Sequence, residues 1–93
     1  MDTAEARRIL AERLARYRAL SYAQLVAKID RVECEQIGEP GKKFWQMEFQ
    51  VVWHSQPNGD VRVLGSIDDG GWRAFAPLMD YFIKASNGEF VGE

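Results

Sequence analysis

Phe44-Trp45-Gln46-Met47-Glu48-Phe49-Gln50-Val51-Val52-Trp53-His54 decides the fold. Its odd positions are large and apolar: Trp45, Met47, Phe49, Val51 and Trp53. From Gln46 on, its even positions are polar apart from Val52. A period of two over this length predicts a strand with one dry and one wet face. Ser55-Gln56-Pro57-Asn58-Gly59-Asp60 is turn chemistry, and beyond it Val61, Val63 and Ile67 alternate with Arg62, Ser66 and Asp68. Two strands joined as a hairpin follow.

Upstream, Gly38-Glu39-Pro40-Gly41 interrupts any strand. Before it, Arg31 to Ile37 reads as a half-exposed strand, with Val32 and Cys34 opposite Arg31, Glu33 and Glu35. Further back, Asp2 and Glu5 have the form of a capping box. Ala6, Leu10, Leu14 and Tyr17, widened by Ile9 and Leu20, then recur at helical spacing. Ser21-Tyr22-Ala23-Gln24 is a second capping box, with Leu20 and Leu25 placed as a staple, so a short second helix starts at a new angle.

Downstream, Asp68-Asp69-Gly70-Gly71 suits a tight turn that sends Trp72 and Ala74 back along the dry face and Arg73 and Phe75 along the wet one. Pro77 then opens a last short helix bearing Leu78, Phe82 and Ile83. Ser86-Asn87-Gly88 ends it, and Phe90 and Val91 dock the tail. The expectation is an α+β domain of order α-α-β-β-β-β-α: two N-terminal helices packed on a four-stranded antiparallel meander sheet, a short C-terminal helix and a docked tail. A curved meander over a helix resembles cystatin-like and nuclear-transport-factor-like layouts, a likeness of arrangement that fixes no activity.

The 93 residues suffice for one domain with one core, spanning 1–93. Cys34 is the only cysteine, so no internal disulfide forms, and a reducing, cytoplasmic setting fits. The charged N-terminal residues do not read as a signal peptide, and no apolar run of membrane-spanning length occurs, so no membrane partner is expected. Net charge is −2, unevenly spread: residues 1–31 hold seven Lys/Arg against four Asp/Glu, and 32–93 hold five against ten. The basic helix invites nucleic acid, but Arg8 and Arg16 have acidic neighbours within helical reach and the chain is acidic overall, which disfavours that partner.

Little here points to chemistry. His54 is the only histidine and falls on the wet face with Glu48, Arg62 and Asp68, where a carboxylate neighbour would make it a usable acid; a solvated strand end is the plainer account. Cys34, flanked by Glu33 and Glu35 and in phase with Val32, reads as a small buried hydrophobe rather than a nucleophile. Asp68-Asp69-Gly70-Gly71 lacks the spaced ligands of a calcium loop and reads as a turn. No catalytic residue, metal site or cofactor is expected.

Two surfaces compete as binding sites. The wet face carries Val52, Leu64 and Phe75 among Glu48, His54, Arg62 and Arg73, an apolar cluster with a charged rim such as a protein partner or a second copy of the chain covers; the tail or last helix is the alternative cover. Trp45, Trp53 and Trp72 on the dry face either fill the core or line a pocket between sheet and helices. The first surface gives a non-enzymatic binding or protein-interaction module, in one version a homodimer; the second gives a small-molecule binding domain. Finally, Ser66-Ile67-Asp68-Asp69-Gly70-Gly71-Trp72-Arg73-Ala74-Phe75, Pro77-Leu78, Phe82-Ile83-Lys84 and Gly88-Glu89-Phe90-Val91-Gly92-Glu93 resemble a small family of uncharacterised bacterial proteins. That resemblance implies a short standalone bacterial protein and transfers no functional residue.

Overall fold

A computed structural model of the chain describes residues 2–39, 43–71 and 77–93. Helix α1 spans Thr3–Arg18, and the Asp2 carboxylate accepts from the Glu5 amide at 3.0 Å to cap it. Its apolar stripe buries Ala6, Ile9, Leu10 and Leu14. Helix α2, Tyr22–Val26, has both halves of the Ser21/Gln24 capping box. The Tyr22 hydroxyl donates to the Gly59 carbonyl at 2.7 Å, tying α2 to a distant turn. The four strands, β1 (Val32–Gly38), β2 (Phe44–Trp53), β3 (Val61–Asp68) and β4 (Leu78–Lys84), form one antiparallel sheet in sequential order.

The odd positions of β2 point inward as expected: Trp45, Met47, Phe49 and Val51 are buried with Val61, Val63 and Ile67 of β3 beneath the helices. Burying each of these large side chains contributes about 1.5–3 kcal/mol. Gly65 sits where α1 comes closest. A Cβ built there meets Leu10 Cδ1 and Phe49 Cε1, each at 2.9 Å, so the absent side chain lets helix and sheet touch. α1 thereby lies over β3 and β4.

The C-terminal helix of the sequence reading is overturned. Leu78–Lys84 is β4, in register with β3 through Ile67↔Leu78, Val63↔Phe82 and Val61↔Lys84. Leu78 and Phe82 are four apart, a spacing that fits one helix face and equally one strand face. The open edge of β3 and the aromatic and β-branched run Tyr81-Phe82-Ile83 favour the strand. The strand expected at Trp72 to Phe75 lies outside the described residues.

Ser86-Asn87-Gly88 is correspondingly a reversal rather than a helix end. Gly88 has φ +87°, the Ala85 amide donates to the Glu89 carbonyl at 2.8 Å, and the Val91 amide donates to Ile83 at 2.9 Å. The tail therefore docks along the end of β4, with Phe90 edge-on to Phe82 at 5.8 Å between ring centres. The Arg18 guanidinium grips both Glu93 carboxylate oxygens, at 2.9 and 2.6 Å, and lies over both rings. Lys84 is 8% exposed, and its ammonium caps the end of α1 by donating to the carbonyls of Leu20 at 2.7 Å and Arg18 at 3.2 Å.

A second correction concerns β1. Cys34 is exposed rather than buried, and Val32 is 48% exposed. Pairing sets Glu33 opposite Phe49, Glu35 opposite Met47 and Ile37 opposite Trp45, so Glu33, Glu35 and Ile37 take the helix side of the sheet. β1 is an edge strand beyond the cover of α1; Arg13 reaches its inward Glu35, Tyr17 and Lys28 reach Glu33, and Ile37 packs against the core.

If the contact at Gly65 sets the helix-to-sheet distance, Gly65→Ala will overpack it and lower stability by about 1–3 kcal/mol in urea unfolding, despite the better strand propensity of alanine. Unchanged stability would mean that α1 moves freely over the sheet.

Candidate functional site

The outer face of the sheet is built by the even positions of β2 and β3 and the odd positions of β4. Register stacks it in rows: Cys34, Glu48, Ser66 and Met79; then Val32, Gln50, Leu64 and Tyr81; then Val52, Arg62 and Ile83. Of the residues expected on this face, Glu48, Val52, Arg62 and Leu64 are brought together here, with His54 at the end of the β2 column; Arg73 and Phe75 lie outside the described residues. The structure adds three apolar neighbours from β4. Met79 is 61% exposed, Tyr81 is 56% exposed, and Ile83 packs close beside Arg62.

Arg62 organises one corner. Its Nη2 lies 2.8 Å from His54 Nδ1 and its guanidinium is 5.6 Å from the centre of the Tyr81 ring, while its buried Nε has no partner among the described residues. Guanidinium only donates, so Nδ1 is the acceptor in this contact. The neighbour His54 meets is thus a cation, not the carboxylate that would make it an acid. Asp68 is engaged elsewhere, accepting from Gln46 Nε2 at 2.6 Å and from the Gly70 amide at 2.7 Å, and Asp69 accepts from the Gly71 amide at 3.0 Å. The bond from Gln46 crosses between strands, and the two from the glycine amides are turn-forming. Among the described residues no group of three or more His, Cys, Asp or Glu is placed to hold a metal ion.

Of the three tryptophans, Trp45 is core, Trp53 is half-buried against the core, and Trp72 lies outside the described residues. A groove runs elsewhere, between the last turns of α1 and strand β1. It has a volume of about 430 Å³, its apolar side formed by Tyr17, Leu20 and Phe49 and its rim by Arg13, Arg16 and Lys28. Sequence reasoning placed Tyr17 in the apolar stripe, and its ring does stack on Phe49 at 5.1 Å. Its hydroxyl, however, donates to Glu33 Oε1 at 2.6 Å, and the Lys28 ammonium reaches both oxygens of the same carboxylate. Arg13 Nε donates to Glu35 Oε2 at 2.7 Å.

These bonds polarise the groove. Burial, and then the Glu33 carboxylate, hold the Tyr17 phenol well above its usual range, so it stays protonated. The hydrogen bond from Tyr17, and then that from Lys28, hold Glu33 below the usual carboxylate range, so it stays ionised. The spacing Arg13, Arg16, Tyr17, Leu20 is the helical signal that marks this side of the groove; β1, read in the opposite phase, concealed the other.

No protein-family model, curated protein or solved structure matches the chain. Among the described residues no helix is long and apolar enough to cross a membrane.

Because the folded state lowers the Glu33 pKa, its contribution is fully present above the ordinary carboxylate range and is lost as pH falls below it through the lowered folded-state value. Tyr17→Phe removes the first cause of that lowering. The variant is expected to lose less stability than wild type between neutral and acidic pH, measured as urea midpoints; parallel profiles would show that the bond contributes nothing.

Proposed function

We propose that this chain is a non-enzymatic protein-interaction module that binds through the open face of its sheet, with a second copy of itself as the partner that face fits. The observation that carries the reading is the exposure of Met79 and Tyr81 beside half-buried Leu64, with Glu48 and Arg62 around them. Covering Met79 and Tyr81 removes apolar surface from water, at roughly 25 cal/mol per Å², which favours association where the rim pairs well.

The rim favours a like partner. Glu48 and Arg62 flank the Gln50–Leu64 row on opposite sides, since each precedes its own row residue by two on antiparallel strands. A two-fold axis running along that row, between the two faces, is able to set Glu48 of one copy opposite Arg62 of the other, the self-complementary arrangement a symmetric dimer requires. A cytoplasmic, bacterial setting accompanies this reading, supported by the single cysteine and by the resemblance of the last third of the chain.

Sedimentation equilibrium tests it. Wild type is expected to dimerise and Leu64→Glu/Tyr81→Glu to remain a folded monomer by circular dichroism. A wild type that stays monomeric up to millimolar concentration, or a double variant that dimerises equally well, overturns the reading.

A further inference from the structure

The groove between α1 and β1 lies on the other side of the sheet from that face and is independent of the dimer reading. We propose that it binds a small amphipathic carboxylate: an apolar body with a single negative charge. The shape of the molecule creates the space. α1 covers β3 and β4, so the inward carboxylates of β1 are met by side chains that bridge from α1 and from the turn after α2, Arg13 to Glu35 and both Tyr17 and Lys28 to Glu33. Between those bridges and the buried ring of Phe49 about 430 Å³ remains, within the ordinary range for small-ligand sites.

Charge selects the ligand. The lining holds three cations, Arg13, Arg16 and Lys28, against two carboxylates, Glu33 and Glu35, which leaves one net positive charge. Arg13 and Lys28 are already spent on those carboxylates, whereas Arg16 has no ion pair among the described residues. One unneutralised guanidinium matches a monoanion; a phosphate dianion would be left half-compensated beside Glu33 and Glu35. Next to it the Tyr17 ring, Phe49 and Leu20 offer an apolar wall for the rest of the ligand. The phenol hydroxyl, already donating to Glu33, is not free to bind the anion, so Arg16 is the anchor.

Octanoate is a suitable probe, followed by amide chemical shifts of the full chain. Millimolar octanoate is expected to shift the amides of Arg16, Tyr17, Leu20, Glu33 and Cys34 in a saturable way, and octylamine, with the same body and the opposite charge, is not. Arg16→Gln should weaken binding about tenfold, as loss of a charge-assisted hydrogen bond does. Arg7→Gln, exposed on the same helix but absent from the groove lining, should leave it unchanged, and so should Leu64→Glu/Tyr81→Glu. No saturable shift, shifts confined to the outer face, or equal affinity in Arg16→Gln would each overturn the proposal, whatever the oligomeric state proves to be.

Discussion

The close approach of α1 to the sheet at Gly65 governs the rest of the molecule. With no Cβ in the way, Leu10 and the Phe49 ring meet over the glycine, and the helix settles across β3 and β4. A 16-residue helix is one rod about 10 Å across, whereas four strands spaced about 4.8 Å apart make a wider platform. Once the rod is seated on one side, the other side of the platform must be finished differently. Polar bridges from Arg13, Tyr17 and Lys28 do this, and they leave a groove instead of a close-packed seam. The same seating puts the C-terminal end of α1 beside Lys84, whose ammonium satisfies two of the carbonyls there.

What was legible in the sequence was whatever depended on unambiguous period. β2 is long, and its odd face is almost purely apolar, so its inward face and its pairing with β3 read directly. The two N-caps were legible because Asp2 and Ser21 act within three residues of themselves. Leu78-Met79-Asp80-Tyr81-Phe82-Ile83-Lys84 was not, since its apolar residues satisfy helical and strand spacing alike, and only the neighbouring edge of β3 decides between them. In β1 the three-residue alternation of Val32 and Cys34 against glutamates suggested the wrong inward face. Ile37, in phase with Glu33 and Glu35 and paired with Trp45, carried the true phase.

The candidate surfaces followed the same logic. Glu48, Val52, Arg62 and Leu64 converge because they belong to the two strands whose phase was clear. Met79 and Tyr81 were hidden by the mistaken helix, although period two along that segment places both with Leu64. The groove was invisible because it needs partners 16 and 22 residues apart, Tyr17 with Glu33 and Arg13 with Glu35, and their meeting depends on how far α1 extends over the sheet. Tryptophans drew attention to the dry face, yet large rings pack most tightly where cover is complete, and space survives where it is not.

The two edges of the sheet are unequal for a reason that ties both surfaces together. The His54 amide bonds the Asp60 carbonyl, and antiparallel alternation from that pair turns the backbone groups of Met79, Tyr81 and Ile83 away from β3 and those of Val32, Cys34 and Gln36 away from β2. On β4 two of these groups are engaged locally: the Val91 amide takes the Ile83 carbonyl, and the Asp80 carboxylate accepts from the Tyr81 amide at 2.8 Å. A strand approaching β4 would have to displace the tail and its Arg18–Glu93 clasp, while Asp80 competes for one of the donors it needs. In the proposed dimer, Met79 and Tyr81 therefore offer their side chains on the open face, not the backbone edge, and a face-to-face contact of this kind leaves the groove beside β1 accessible on the opposite side.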